Sequence, residues 1–344
     1  MIRLFSFITS IFLLCDCHLL AAETSKPVIV FILAGQSNME GKAKLALLEY
    51  QVKQPENRQL FGHLQKDGRW IERDDVWIKF LDRKGNLTVG YGSPKCIGPE
   101  LEFGHVVGDH YQPQVLLIKT AWGGRSLYRD FRSPSAALPP DSVLEKMLAA
   151  QKNKNPAATL DDVKAPFGAT YRDMLKEVHS TLADLKNLFP AYQNQGYEIH
   201  GFIWFQGWND MIDDTPTAEY TSNLAHLIRD VRKDFDSENL PFVVAQMGVG
   251  GVDGADARIR KFKAAQAAVM DLPESKNSVA LVKTDQFWDT EADAVFKKGW
   301  RENLKEWNTV GSDYPYHYLG SAKTYCRIGR ALAAAAIALD EKNR

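Results

Sequence analysis

Residues Val28-Ile29-Val30-Phe31-Ile32-Leu33-Ala34 are seven apolar side chains in succession, and the run breaks into Gly35-Gln36-Ser37-Asn38-Met39-Glu40-Gly41. A run this rich in β-branched residues, ended by glycine, reads as a strand buried on both faces, the pattern of a parallel sheet. In an open α/β sheet ligands bind beyond the carboxyl ends of the strands, so Ser37 stands where a nucleophile would sit. A serine at a strand end is also an ordinary capping residue, and glycine plus serine alone do not separate the two. Two familiar glycine motifs are excluded. A phosphate loop has four residues between its glycines and then Lys-Ser/Thr, whereas five separate Gly35 from Gly41 and Ala43 follows Lys42. The nucleophile elbow of α/β-hydrolases carries glycine two residues after its serine, and Met39 stands there.

The rhythm continues along the chain. Residues 114–119, 197–205, 240–247 and 279–283 are further apolar runs of strand length. Helical patterns lie between them, at 98–104 onward, 169–188, 219–234 and 258–270, and a closing helix is expected over 321–339. In 169–188, Met174, Leu175, Val178, Leu182 and Leu185 make the apolar stripe. Strands alternating with helices predict a doubly wound, mostly parallel sheet in a three-layer α/β sandwich. No internal repeat or low-complexity linker divides the chain, so residues 23–344 read as a single domain. Two stretches break the rhythm. Residues 42–95 carry strand patterns at 69–72 and 76–81 with turn signals at 66–68 and 83–86, predicting an insertion with a β-hairpin outside the core. Residues 130–166, rich in Pro, Ser, Ala and Lys, predict a long surface excursion.

Three strand ends and one late loop carry distinctive residues. The 114–119 run leads into Trp122-Gly123-Gly124-Arg125, where a glycine pair either admits a ligand close to the backbone or makes a tight turn. The 197–205 run ends in Gln206-Gly207-Trp208-Asn209-Asp210, and Asp313-Tyr314-Pro315-Tyr316-His317-Tyr318 precedes the closing helix. In this order, over about residues 27–337, the Gly-Gln-Ser-Asn-Met block, the Gly-Gly loop, the Trp-x-Gln-Gly segment and the late histidine resemble the SGNH-hydrolase superfamily. Within it they resemble the sialate O-acetylesterase and acetylxylan esterase branch, carbohydrate esterase family six.

The resemblance implies a flavodoxin-like SGNH sandwich and a Ser37–His317 pair for acyl transfer. It implies an oxyanion site from the Ser37 N–H, Gly123 or Gly124, and Asn209, with Gln206 as the alternative side-chain donor. The substrate implied is an acetylated carbohydrate lying among Gln36, Asn38, Trp122, Arg125 and Trp208. Neither a metal nor an organic cofactor is implied. Two departures stand out. Trp208 occupies the place where the branch more often has a glutamate, which in some relatives is a candidate triad acid. Asp313 precedes His317 by four residues instead of the usual three, so it competes with Asp285 and Asp289 as the acid that orients the imidazole.

Residue chemistry by itself supports acyl transfer to water. An ester carbonyl needs a nucleophile, a base for its proton and donors for the oxyanion. Of the eight histidines, His317 is the one in the loop between the last strand pattern and the last helix. A carbohydrate-binding protein with an inactive site would have no use for that pair. A lipase-like esterase would carry an apolar lid, and residues 42–95 are too polar for one.

Composition narrows the partners. Net charge is −1 without a basic block, which argues against nucleic acid. Residues 1–22 read as a secretory leader, with Arg3, an apolar stretch from Leu4 to Leu14 and small residues at Ala21-Ala22. That stretch is shorter than the ~20 residues a membrane span requires, and the destination expected is secreted or periplasmic. Cys15 and Cys17 raise lipid attachment, against which Leu14 and Asp16 speak. Cleavage leaves Cys96 and Cys326, either a disulfide of an exported protein or two buried thiols. No His/Asp cluster has metal-ligand spacing.

Overall fold

The computed structural model describes residues 26–343; the leader expected at 1–22, with Cys15 and Cys17, lies outside them. Seven strands form the main sheet: β1 (Val28–Gly35), β2 (Arg73–Phe80), β3 (Arg83–Leu87), β4 (Val115–Ala121), β5 (Tyr197–Phe205), β6 (Phe242–Gln246) and β7 (Val279–Lys283). Their order is β7-β6-β5-β1-β4-β2-β3. Every pairing is parallel except β2 with β3. This is the doubly wound, mostly parallel sheet the alternation predicts.

All eight residues of β1 and all seven of β4 are buried. Side chains alternate between the faces of a strand, so both faces of the sheet must be covered there. Helices do this. α2 (Glu100–His110) packs against α6 (Ala322–Asn343), which also touches β5, β6 and β7. α3 (Ala169–Ala183) packs on β4, and α4 (Asp214–Asp234) on α5 (Ala257–Ala267), which lies against β6. Among the described residues no helix is long and apolar enough to cross a membrane.

The stretch 42–95 departs from expectation. Its hairpin exists, but it extends the sheet instead of standing outside the core: β2 pairs in parallel with β4, and Val76, Trp77, Ile78 and Phe80 join the main hydrophobic cluster. The chain reverses at Leu81, at φ 53, so 83–86, expected to be the turn, belongs to β3. Edge strands carry charge to discourage pairing with other chains, and Arg83-Lys84 imitates a turn by composition. Residues 69–70 pair with 65–66 as a separate two-stranded ribbon. The 130–166 excursion also holds helices, Asp141–Lys152 and Leu160–Lys164, the second started by a capping box at Thr159. Cys96 and Cys326 are free and buried, and burial pushes both thiols above their ordinary pKa.

The sheet's register sets up the site. β1 is the strand at which the order reverses, with β4 on one side and β5 on the other. Gly35 pairs with both Ala121 and Phe205, so the loops that begin at Gln36, Trp122 and Gln206 leave the sheet at one level. Gly35 has φ 152, and a Cβ there would lie 2.2 Å from the Phe205 carbonyl oxygen. Only glycine lets β1 and β5 run this close at the point where the chain turns outward.

Candidate active site

Ser37 is the first residue of a single helical turn, α1 (Ser37–Glu40), and is 7% exposed. A residue at that position has a backbone N–H with no acceptor inside the turn. A methyl group added at Gly123 would lie 3.8 Å from Ser37 Cβ, which places the glycine loop directly beside the serine.

The neighbouring amides can be oriented without ambiguity. The Gly207 N–H donates to Gln36 Oε1 at 3.1 Å, so the other end of that amide is Nε2, and it donates to Asn209 Oδ1 at 3.1 Å. Asn209 Oδ1 is thereby fixed as the acceptor, and Nδ2 faces away from Gln36. Asn38 Nδ2 donates to the Tyr316 carbonyl at 3.1 Å while its Oδ1 accepts from the Tyr325 hydroxyl at 2.9 Å. Gln36 and Asn38 are 2% and 6% exposed. Their amides, expected at the substrate, are committed to protein.

Gln206 is committed as well. Its Nε2 donates to the Arg125 carbonyl at 3.0 Å and to Asp210 Oδ2 at 2.6 Å, and its Oε1 accepts from Tyr220 at 2.9 Å. Both amide hydrogens are spent, so Gln206 as the alternative oxyanion donor finds no support in this geometry. Asp210, fully buried, also accepts from the Leu127 and Tyr128 N–H groups at 2.8 Å each. Burial pushes its carboxyl up to about 7, against the three donors that favour the ionised form. Gln206 and Asp210 together clamp the loop after β4 onto the loop after β5.

Glu40, at the other end of α1, accepts from the Gly123 N–H at 2.8 Å, Lys42 Nζ at 2.6 Å and the Ser93 hydroxyl at 3.1 Å. Burial raises its pKa, but Lys42, the Gly123 N–H and Ser93 outweigh that and hold the carboxyl below its ordinary value. The Gly123 N–H is therefore occupied by Glu40. Gly124, exposed at φ 72, meets no neighbouring atom where a Cβ would be. Beneath this turn Lys119 donates to the Glu40 carbonyl at 2.6 Å, the Tyr91 carbonyl at 2.8 Å and Glu100 Oε2 at 2.7 Å. Glu40, Lys119 and Asp210 were not singled out in the sequence. A lysine inside an apolar parallel strand was the available signal, since a buried ammonium must be paired.

The His317 loop reaches the same place from the far end of the chain. Asn38 holds the Tyr316 carbonyl, and the Tyr325 hydroxyl that serves Asn38 also approaches the His317 carbonyl at 3.4 Å. Tyr318 and Leu319 take left-handed backbone, at φ 51 and φ 60, which costs on the order of 1–3 kcal/mol for each such residue. Compensation is visible: the Tyr318 hydroxyl accepts from the Gly248 N–H at 2.8 Å and shares a 2.6 Å hydrogen bond with Thr284, while the Leu319 carbonyl accepts from the Ser312 N–H at 2.7 Å.

Asp313 Oδ2 lies 3.2 Å from His317 Nδ1, close enough for an ion pair but off the line of a well-aligned ring hydrogen bond. Burial raises the Asp313 pKa, and His317, the Tyr314 N–H and Lys42 more than offset it, leaving the carboxyl below its ordinary value. The rival acids are occupied elsewhere. Asp285 pairs with Lys263, and Asp289 caps the helix Thr290–Lys297 and accepts from Ser321.

Two surfaces flank these residues. An open groove of about 470 Å³ runs from Gly124 and Asn209 past Ser126 and Arg129 towards Val143 and Met147. On the histidine side the surface is aromatic, with Tyr316 edge-on to His317 and the Trp208 ring 5.5 Å from Tyr316. Trp122 is half-buried with its ring 6.3 Å from Phe131, and Arg125 lies exposed 3.6 Å from Asp130. Among the described residues no cluster of His, Cys, Asp or Glu could hold a metal ion.

Residues 27–296 match the profile of a family described as carbohydrate esterase, sialic acid-specific acetylesterase. The match takes in Ser37, the Gly123-Gly124 loop and Asn209 and stops short of Asp313 and His317. A search of curated proteins found no match. Among solved structures the chain is similar in fold to a protein of Arabidopsis thaliana determined by X-ray at 1.6 Å, at 18% identity, with 90% of this chain and 98% of that one covered and a TM-score of 0.51. A carbohydrate acetylesterase from Xanthomonas citri matches at 18% identity over 89% of this chain and 55% of its own, with a TM-score of 0.46.

Proposed function

The chain belongs to the carbohydrate esterase family of sialic acid-specific acetylesterases, and from that premise we propose that it is an exported carbohydrate O-acetylesterase working through an acyl-enzyme on Ser37. Family membership makes it an ester-hydrolysing enzyme. The residue roles are our assignment. Ser37 Oγ attacks the acetyl carbonyl while His317 takes its proton. The Ser37 N–H and Asn209 Nδ2 meet the charge that develops on the carbonyl oxygen. The ester C–O bond then breaks, and His317 returns the proton to the departing sugar oxygen. Water, deprotonated by His317, repeats the attack on acetyl-Ser37 and releases acetate. Asp313 keeps the imidazole in the right tautomer and stabilises the imidazolium.

The observation that carries this reading is the common level of the Ser37, Gly123 and Asn209 loops at the end of β1, with Asn38 tying the His317 loop to the serine turn. Gln36, Asn38 and Gln206 act as positioning residues in this scheme. The glycine loop, held through Glu40, contributes its donor from Gly124, or from Gly123 if the Glu40 bond opens. The leader pattern of residues 1–22 supports export. Purified protein assayed on acetylated xylan, acetylated sialic acids and a chromogenic acetate should release acetate. Binding of acetylated sugar without any turnover would instead favour a carbohydrate-binding role.

Five substitutions test the assignments. Asn209→Ala should lower kcat by ~10²–10³ with little change in KM, the usual size for one oxyanion donor. Gln206→Ala should act on the thermal midpoint more than on kcat, because its partners are Asp210, Tyr220 and Arg125. Were the two kcat losses reversed in size, Gln206 would be the donor. Asp313→Asn should lower kcat roughly 10²-fold or more, for the loss of imidazole orientation. Asp285→Asn and Asp289→Asn should mainly lower the thermal midpoint. Near-wild-type kcat in Asp313→Asn would place the acid elsewhere or leave a Ser–His dyad.

A further inference from the structure

We propose that Trp208, Tyr316 and Tyr314 form a stacking subsite for the leaving sugar chain, so that the substrate is an acetylated oligo- or polysaccharide and not a free acetylated monosaccharide. The inference rests on the acyl-enzyme reading of Ser37 and His317. In that reaction His317 protonates the sugar oxygen as it leaves, so the sugar lies on the histidine side of the ester. The acetyl oxygen lies on the opposite side, towards Asn209.

The side chains on the histidine side are rings in series. Tyr316 stands 4.5 Å from the imidazole at 71°, Trp208 5.5 Å from Tyr316 at 41°, and Tyr314 5.4 Å from Tyr316 and nearly parallel to it, at 6°. Tyr314 is 40% exposed, whereas Trp307, whose ring packs against Trp300 and Phe296, is 4% exposed. Trp300 supports Tyr314 edge-on at 6.1 Å, and the Arg301 guanidinium lies 4.7 Å over Trp300 and donates to the Tyr314 hydroxyl at 3.3 Å. Pyranose rings present apolar C–H faces and a rim of hydroxyls. Aromatic rings edged by phenol and guanidinium groups match both parts. A single sugar held at His317 lies beside Tyr316, whose ring is the one next to the imidazole; Tyr314, one ring further out, is placed for the next unit of a chain.

The test compares kcat/KM on acetylated xylan fragments and acetylated glucomannan fragments of increasing length with kcat/KM on 4-nitrophenyl acetate and O-acetylated free sialic acid. The wild-type protein should prefer the longer chains in at least one series. In Tyr314→Ala the ratio of chain to chromogenic-ester kcat/KM should fall about three- to tenfold, the size of one aromatic contact, and Tyr314→Trp should restore it. A ratio that stays put in Tyr314→Ala, no length dependence in either series, or preference for the free acetylated sugar would each overturn the subsite. Retardation of Ser37→Ala protein in gels containing the same polysaccharides gives a readout free of catalysis. Tyr314-dependent retardation alongside an inactive wild type would keep the subsite and refute the esterase reading. Chromogenic turnover with no Tyr314 effect would do the reverse.

Discussion

Replacing Ser37 by alanine is expected to lower kcat for acetate-ester hydrolysis by at least ~10³-fold while leaving the fold intact. The size follows from nucleophile knockouts in other serine hydrolases, where only the oxyanion site and binding still act. The fold should be unaffected because the neighbouring groups are held by other residues: the turn is fixed by Gln36, Asn38, Glu40 and Lys119, and Ser37 Oγ has no hydrogen-bond partner among the described residues. Alanine is also the better helix former. The comparison is made on protein with an unchanged thermal midpoint. Retained turnover in such protein would remove Ser37 from the mechanism, and a loss of both activity and midpoint would mean that the serine is structural.

Lys119→Met should be the most destabilising of the substitutions considered, by about 3–5 kcal/mol, the range for breaking one partner out of a buried ion pair. Lys119 is 1% exposed and Glu100 is 1% exposed. Methionine preserves much of the volume but leaves the Glu100 carboxylate facing Lys119's vacated place, together with the Glu40 and Tyr91 carbonyls. Because Lys119 anchors the carbonyl of Glu40, the last residue of the Ser37 turn, kcat should fall as well. The double variant Lys119→Met/Glu100→Gln should recover part of the stability, since it removes the stranded charge while the two carbonyls stay unpaired. Denaturant melts of the wild type, Lys119→Met, Glu100→Gln and the double variant decide it. A loss below about 1 kcal/mol, the size of a typical neutral hydrogen bond, would show that Lys119 and Glu100 do not form the buried pair seen here.

Much of this architecture is legible in the sequence because β1, β4 and β6 are buried along their whole length and β5 over its last six residues. β1, β4, β5, β6 and β7 read as mainly apolar runs, and for β5 and β7 the expected limits, 197–205 and 279–283, are the observed ones. The edge is another matter. β3 mixes Arg83 and Lys84 with Gly85 and Asn86, and nothing local separates a charged edge strand from a turn. Helix Asp141–Lys152 is hidden for a related reason: it buries one side chain, Leu144, and lies among prolines.

The strand-end blocks point to the site because register, a property of the sheet, brings them to one level. What each polar residue does there is not local. Gln36 meets Asn209 across 173 positions and Asn38 meets Tyr316 across 278, so sequence gives the residue type but not whether its amide faces substrate or protein. The Gly123 N–H held by Glu40 belongs to the same class of fact. Tyr314 and Tyr316 read as the flanks of a histidine loop, and only their near-parallel rings turn them into a surface.

An acyl-enzyme on Ser37 is tested most directly by labelling the purified protein with a fluorophosphonate and mapping the modified peptide by mass spectrometry. One adduct is expected, on Ser37, with loss of acetate release in proportion to labelling, no adduct in Ser37→Ala, and slower labelling in Asp313→Asn. An adduct on another serine, or full esterase activity in protein whose Ser37 is labelled, would rule out Ser37 as the nucleophile.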